Sequence, residues 1–167
     1  MNWKIGKTTL VFAAAAALSL PTSWSVGAPT HRGHEIVGSW EVTVQLNNCS
    51  GTTIGGPFQS LLTFNEGETM TEDTTNPSFV AGQRGTGHGI WQYEGEHKFA
   101  AKSIAFINFT TTTPPPGFKA GTQKITQTID FQNGPDQWAA DAQVQFADST
   151  GDVYRNACAT ANAIRFE

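Results

Sequence analysis

The sequence predicts an all-β fold, an eight-stranded antiparallel up-and-down barrel. Apolar and polar residues alternate along several segments, which is typical of strands with one buried face. The 167 residues include 17 Gly and 8 Pro, which favour turns, and 11 Phe and 5 Trp, which supply a large core. No segment after the N-terminal region has helical periodicity. This length suits a single domain.

Residues 1–27 have the order of a secretory signal peptide. Lys4 and Lys7 precede an apolar stretch, Thr8–Leu20, and small residues follow it. The stretch is shorter than the roughly 18 residues that a membrane span requires. We expect cleavage after Gly27, which leaves residues 28–167 as one secreted or periplasmic domain without a membrane span.

The first four strands follow from alternation and from the turns between them. Trp40, Val42 and Leu46 alternate with polar residues, so the first strand covers Ser39–Leu46. The turn-rich stretch Asn47–Pro57 then predicts a loop. The next three predicted strands are Phe58–Phe64, a short polar strand at Thr69–Glu72, and Ile90–Tyr93.

The last four strands are predicted in the same way, as His97–Phe109, Lys124–Phe131, Gln137–Phe146 and Val153–Phe166. Three prolines within Thr110–Gly117 require a loop before the sixth strand, and Asn133-Gly134 is a hairpin signal after it. The last strand carries four alternating alanines on one face, and Ile164 and Phe166 on the other. A one-residue shift exchanges the faces, so either one fits the barrel interior.

The two cysteines provide a separate test of closure. Consecutive strands with short connections form a meander, and closing eight of them removes the sheet edges. The first and last strands then pair antiparallel, which brings Cys49, past the end of the first, close to Cys158, near the start of the last. We therefore expect a disulfide at the closing seam of an exported protein, with two free thiols as the alternative.

A short motif adds a family resemblance. Gly38-Ser39-Trp40 opens the first strand and Arg165 lies near the end of the last. This arrangement resembles the calycin signature of lipocalins, avidins and fatty-acid-binding proteins. The resemblance implies that Trp40 plugs one end of the barrel, that Gly38 permits close strand approach, and that Arg165 stacks on the indole. The lipocalin Thr-Asp-Tyr motif and C-terminal helix are missing, so the chain resembles a compact lipocalin-like barrel. The allene-oxide-cyclase-like barrel also fits the length and the alternation.

Several function classes lack support in the sequence. The net charge is −4 and no cluster of Lys and Arg occurs, which argues against a nucleic-acid surface. The segment His31–Glu35 has the residue types of a chelate but lies in the N-terminal lead, so we predict no metal and no cofactor. Glu94 and Glu96 belong to one tight turn, which does not suit the carboxylate pair of a glycosidase.

The function predicted from the sequence is binding of a small apolar or aromatic ligand inside the barrel, without catalysis. The predicted contacts are Trp91, Tyr93, Phe99, Phe106, Ile125, Trp138, Phe146, Thr160 and Asn162. One alternative is an enzyme of the cyclase or isomerase kind, in which Glu72, His97, Thr160 or Asn162 would act as acid, base or donor. Another is a surface interaction protein whose long loops carry the function.

The connections between strands predict where the barrel opens. In an up-and-down barrel alternate connections lie at the same end, so Asn47–Pro57, Thr74–Gly87 and Thr110–Gly117 surround one mouth. Trp40 then marks the opposite end. Trp91 and Phe109 are expected nearest the mouth.

Overall fold

The computed structural model describes residues 34–112, 117–131 and 134–166. A 3₁₀ turn at His34–Ile36 precedes eight antiparallel strands in a closed barrel, as the sequence predicts. The strands are β1 Gly38–Asn47, β2 Thr53–Asn65, β3 Thr69–Thr74, β4 Gly87–Gly95, β5 Lys98–Ile107, β6 Gly121–Asp130, β7 Gln137–Asp148 and β8 Val153–Arg165. Several predicted features lie outside the described residues: the signal peptide, residues 31–33 of the N-terminal His31–Glu35 segment, the three adjacent prolines, and Asn133 of the hairpin signal.

Each strand pairs with its neighbour in sequence, and β1 pairs with β8 to close the barrel. The closing register runs from Trp40 opposite Arg165 to Asn47 opposite Cys158. Cys49 and Cys158 form a disulfide at the end of this seam. Both the closure and the bridge are therefore as predicted.

The connections alternate between two ends of the barrel. Segments 48–52, 75–86 and 149–152, together with the described residues 108–112 and 117–120 between β5 and β6, lie at what we call the loop end. Segments 66–68 and 96–97, together with the described residues 131 and 134–136 between β6 and β7, lie at the Trp40 end with the 3₁₀ turn. The β1–β2, β3–β4 and β5–β6 connections thus share one end, as expected from the strand order, but the first of them is only five residues long.

Three strands, β2, β4 and β6, begin at least three residues earlier than the alternation indicates. β2 starts at Thr53, so much of the predicted loop Asn47–Pro57 is strand. β4 starts at Gly87, which places Trp91 inside the strand rather than at its start. Trp91 Nε1 donates to the carbonyl of Asn65, 3.1 Å away, beside the β2–β3 turn. Trp91 therefore lies at the Trp40 end, and its predicted place at the mouth is wrong.

The Trp40 end is closed by a fully buried indole. Trp40 Nε1 donates to the carbonyl of Ile36 at 2.8 Å, and the ring packs edge-on to Phe131 with centroids 5.5 Å apart. The guanidinium carbon of Arg165 lies 4.2 Å from the centroid of the Trp40 ring. Gly38 has φ +131°, and a Cβ there would lie 2.8 Å from Arg165 Nη1. The Trp40 plug and the Arg165 stack that the calycin resemblance implies are present, whereas glycine at residue 38 makes room for the Arg165 guanidinium rather than for a neighbouring strand.

The register resolves the ambiguity of the last strand. The four alternating alanines of β8 face the interior, whereas Ile164 and Phe166 are 53% and 59% exposed. Small side chains therefore form one wall of the barrel. Within the described residues, no helix is long and apolar enough to cross a membrane.

Candidate functional site: a cavity inside the barrel

A cavity of about 60 Å³ lies in the barrel, between the aromatic plug at the Trp40 end and the loop end. A water molecule needs roughly 10 to 15 Å³ of such space, so the cavity is large enough for a few waters. Most of the lining is apolar: Val42, Val44, Leu46, Phe58, Leu62, Phe79, Ile125, Ala142, Val144, Ala159 and Ala161. The polar lining residues are Ser60, Glu72, Thr74, Asn76, Arg84, Gln123 and Gln127.

The cavity exists because one wall carries small side chains. Ala159 and Ala161 on β8 and Ala142 on the adjacent β7 all line it. A methyl group leaves unfilled the space that a leucine would occupy, and a barrel of eight strands is just wide enough for such a gap. At the loop end the cavity is bordered by half-buried residues, among them Phe58 and Phe79.

The segment 75–86 carries a charged side chain into the barrel. The backbone of Arg84 pairs with that of Ile107 in an isolated antiparallel β-bridge, and the amide of Gly85 donates to the carbonyl of Phe106 at 3.0 Å. The Arg84 guanidinium donates through Nη2 to Glu72 and through Nε to Gln123. Arg84 thus joins β3 to β6 across the interior of the barrel.

The Arg84–Glu72 ion pair is buried: the two side chains are 4% and 8% exposed. Gly87 lies directly opposite Glu72, and a Cβ at residue 87 would collide with the Glu72 side chain. The pair therefore depends on glycine at this position. Because the two charges offset one another, the cavity is polar on this side and carries no net charge.

Two further polar groups face the cavity without a partner. Gln127 is 6% exposed and Ser60 is 8% exposed, and both line the cavity. Neither side chain makes a hydrogen bond to any residue that the structure describes. Buried polar side chains in native proteins are almost always hydrogen-bonded to protein or to another molecule. Gln127 and Ser60 are therefore polar groups of the cavity lining that no described residue of the protein engages.

The loop end beside the cavity is covered by an aromatic cluster. Phe79 and Phe118 have ring centroids 4.5 Å apart, and Phe118 and Phe146 are 5.0 Å apart. The Arg155 guanidinium lies 4.6 Å from the Phe118 centroid. Gln83 is fully buried and donates to the carbonyl of Phe109 at 3.1 Å, which holds segment 75–86 against segment 108–120. Phe109 therefore lies at the loop end, as predicted.

The predicted contact residues occupy different parts of the barrel, and only Ile125 among them lines the cavity. Four of the others pack in or against the core of the Trp40 end: Trp91, Tyr93, Phe99 and Trp138. Phe146 belongs to the aromatic cluster at the loop end. The alternation correctly placed these side chains inside the barrel, but it did not predict their positions along the barrel axis.

Three predicted contacts point outward. Phe106 is 69% exposed, and Thr160 and Asn162 lie on the exposed face of β8. Their predicted interior position is wrong because β5 is apolar on both faces, which hides its register, and because the alanine face of β8 is the inner one. His97 is an exposed turn residue whose Nδ1 lies 3.0 Å from Glu35 Oε2. Of the four candidate acids, bases and donors, Glu72 is the one inside the cavity.

Sequence reasoning missed the polar side of the site. Gln123 and Gln127 alternate with Ile125 and Ile129, which are apolar residues on the inner face of β6. This alternation was a sufficient signal to place both glutamines inside. Arg84 had no comparable signal because it belongs to an irregular segment.

Comparison with models of protein families and with curated protein sequences finds no match for this chain. Among the residues that the structure describes, no three His, Cys, Asp or Glu side chains are grouped so as to hold a metal ion. The geometry of the cavity is therefore the basis for assigning a function.

Proposed function

We propose that the protein is a small-molecule-binding barrel of the lipocalin-like kind, which holds a small, largely apolar ligand in its interior without catalysis. The observation that carries the proposal is the cavity itself, with mostly apolar walls on β1, β2, β7 and β8 and with polar groups mainly on β3, β6 and segment 75–86. Ligand sites generally combine mostly apolar walls with a small number of placed polar groups.

The size of the cavity limits the part of the ligand that it encloses. About 60 Å³ accommodates a few non-hydrogen atoms. A larger molecule would extend past Phe58 and Phe79 at the loop end, because Trp40, Phe64 and Trp138 fill the other end.

Export forms part of the proposal. The Cys49–Cys158 disulfide is compatible with an oxidising compartment, and the N-terminal sequence has the order of a signal peptide. A binding protein that acts outside the cytosol would account for both features.

An enzyme of the cyclase or isomerase kind is a second candidate because Glu72 places a carboxylate in the cavity. The Arg84 guanidinium already engages that carboxylate, which favours a structural or binding role over proton transfer. Under the enzyme reading, Glu72→Gln would abolish turnover of a bound substrate while leaving the substrate bound.

Binding of xenon, a small apolar probe, tests the proposal. Xenon-dependent shifts of the Val42, Val144 and Ile125 methyl groups should saturate in the native protein. Ala159→Leu fills the cavity and should abolish them, whereas Ala139→Leu, on the exposed face of β7, should leave them unchanged. Absence of saturable shifts in the native protein, or their persistence in Ala159→Leu, would contradict the proposal.

A further inference from the structure

The cavity offers an incoming ligand both hydrogen-bond donors and acceptors. Gln127 has an amide with an N–H donor and a carbonyl acceptor, and Ser60 has a hydroxyl that serves as either. Both side chains are more than nine-tenths buried, and neither is hydrogen-bonded within the described part of the chain. Neither side chain has a fully buried polar atom, so water reaches both from the cavity, and a polar group of the ligand would replace that water as the hydrogen-bond partner.

The two charged side chains of the same site neutralise each other. The Arg84 guanidinium is matched by the Glu72 carboxylate, and its Nε is engaged by Gln123. A ligand carboxylate would add a second negative charge near Glu72, and a ligand ammonium would add a second positive charge near Arg84. A buried charge without a partner is strongly unfavourable, so both kinds of ion are excluded.

We infer that the ligand is an uncharged molecule with an oxygen-containing head, a hydroxyl or carbonyl group, on an apolar body. This inference rests on the proposed binding function and specifies its ligand class. The head group lies against Gln127, and the apolar body lies along the valine and alanine wall toward Phe58 at the loop end.

Three probes with the same four-carbon tail test the charge selectivity: butan-1-ol, butanoate and butylammonium at pH 7. Dissociation constants are measured by NMR shifts of the cavity-lining methyl groups. Butan-1-ol should bind at least about ten-fold more tightly than either ion, because only the ions bring an unpaired charge into the barrel. Equal or tighter binding of butanoate would overturn the inference.

Glu72→Gln should reverse this preference. The substitution keeps the shape of the side chain and an oxygen acceptor for Arg84, but it leaves the guanidinium charge unmatched. Butanoate should then bind at least about ten-fold more tightly than it binds the native protein. Unchanged butanoate affinity in a folded Glu72→Gln protein would show that the ion pair does not set the selectivity.

Gln127→Leu tests the hydrogen bond to the head group without changing the ion pair. It should weaken butan-1-ol binding by roughly three- to ten-fold, the effect of one lost hydrogen bond, and leave xenon binding in place. Gln143→Leu, on the exposed face of β7, is the matched control and should change neither. Unchanged alcohol affinity in Gln127→Leu would overturn the inference. Failure of all probes including xenon would instead overturn the proposed function.

Discussion

Arg165 and Trp40 stabilise the end of the barrel as a pair. The guanidinium stacks on the indole and also donates to the carbonyls of Glu35 at 2.7 Å and Val37 at 3.0 Å. Those two carbonyls flank that of Ile36, the last residue of the 3₁₀ turn, and the Ile36 carbonyl accepts the Trp40 N–H. Each side chain therefore positions backbone that the other contacts, and their contributions to stability should be coupled.

Removing these side chains singly and together measures that coupling. Trp40→Ala should lower the free energy of unfolding by about 3 to 5 kcal/mol because it empties a fully buried site. Arg165→Ala should lower it by less. In a double-mutant cycle followed by urea unfolding, the interaction energy should be about 0.5 to 2 kcal/mol. Additivity within error would mean that the stacked contact contributes nothing beyond burial.

At this scale the sequence was informative wherever one residue type has a single structural use. Gly38-Ser39-Trp40 and Arg165 were predicted to meet, and they do. Gly87 was not noticed, because its need for glycine arises from the Glu72 side chain of a neighbouring strand. Such a contact is invisible until the register between β3 and β4 is known.

Among the elements, the β7–β8 turn contains a carboxylate held by its own loop. Asp148 Oδ1 accepts hydrogen bonds from the Thr150 hydroxyl at 2.6 Å and from the amides of Thr150 and Asp152. The Thr150 hydroxyl is the largest cause that lowers the pKa of Asp148 below its ordinary value. Because the folded-state pKa is lowered, this carboxylate stabilises the fold above its unfolded-state pKa, and the stabilisation is lost as the pH falls through the folded-state value.

Thr150→Ala should therefore raise the pKa of Asp148 toward its ordinary value and reduce the acid dependence of stability. Thr150→Ser is the matched control, because it keeps the hydroxyl and should keep most of the pKa shift. The measurement is a side-chain carboxyl NMR titration of Asp148 in the three proteins. If the pKa is the same with Ala as with Thr, the backbone amides rather than the hydroxyl hold the charge.

Strands and irregular segments differed in how far the sequence predicted them. β6 alternates regularly, so its inner face, including Gln127, follows from the pattern alone. Segment 75–86 takes its path from contacts with distant residues, such as the hydrogen bond from Gln83 to Phe109. Local sequence does not encode those contacts, and the position of Arg84 inside the barrel depends on them. The Arg84–Glu72 ion pair therefore could not be predicted from the sequence, whereas part of the apolar lining could.

For the whole molecule, strand count and closure were the robust predictions, because they depend on many residues at once. Eight alternating segments give the same barrel even when the bounds of β2 and β4 are misjudged by several residues. The cavity depends instead on which face of β8 is inside. The register of β8 against its two neighbours determines this, because the alanines lie opposite buried residues such as Val42 on β1 and Trp138 on β7.

The Cys49–Cys158 disulfide joins the two strands that close the barrel, and the two residues are 109 positions apart. Restricting so long a loop in the unfolded chain should stabilise the fold by about 4 to 5 kcal/mol in the chain-entropy treatment. Replacing both cysteines by serine should lower the free energy of unfolding, measured by urea denaturation, by about the same 4 to 5 kcal/mol. The far-UV circular dichroism should be unchanged, because the β1–β8 hydrogen bonds remain. A native-like urea midpoint in the double variant would show that the seam is held by its strand pairing alone.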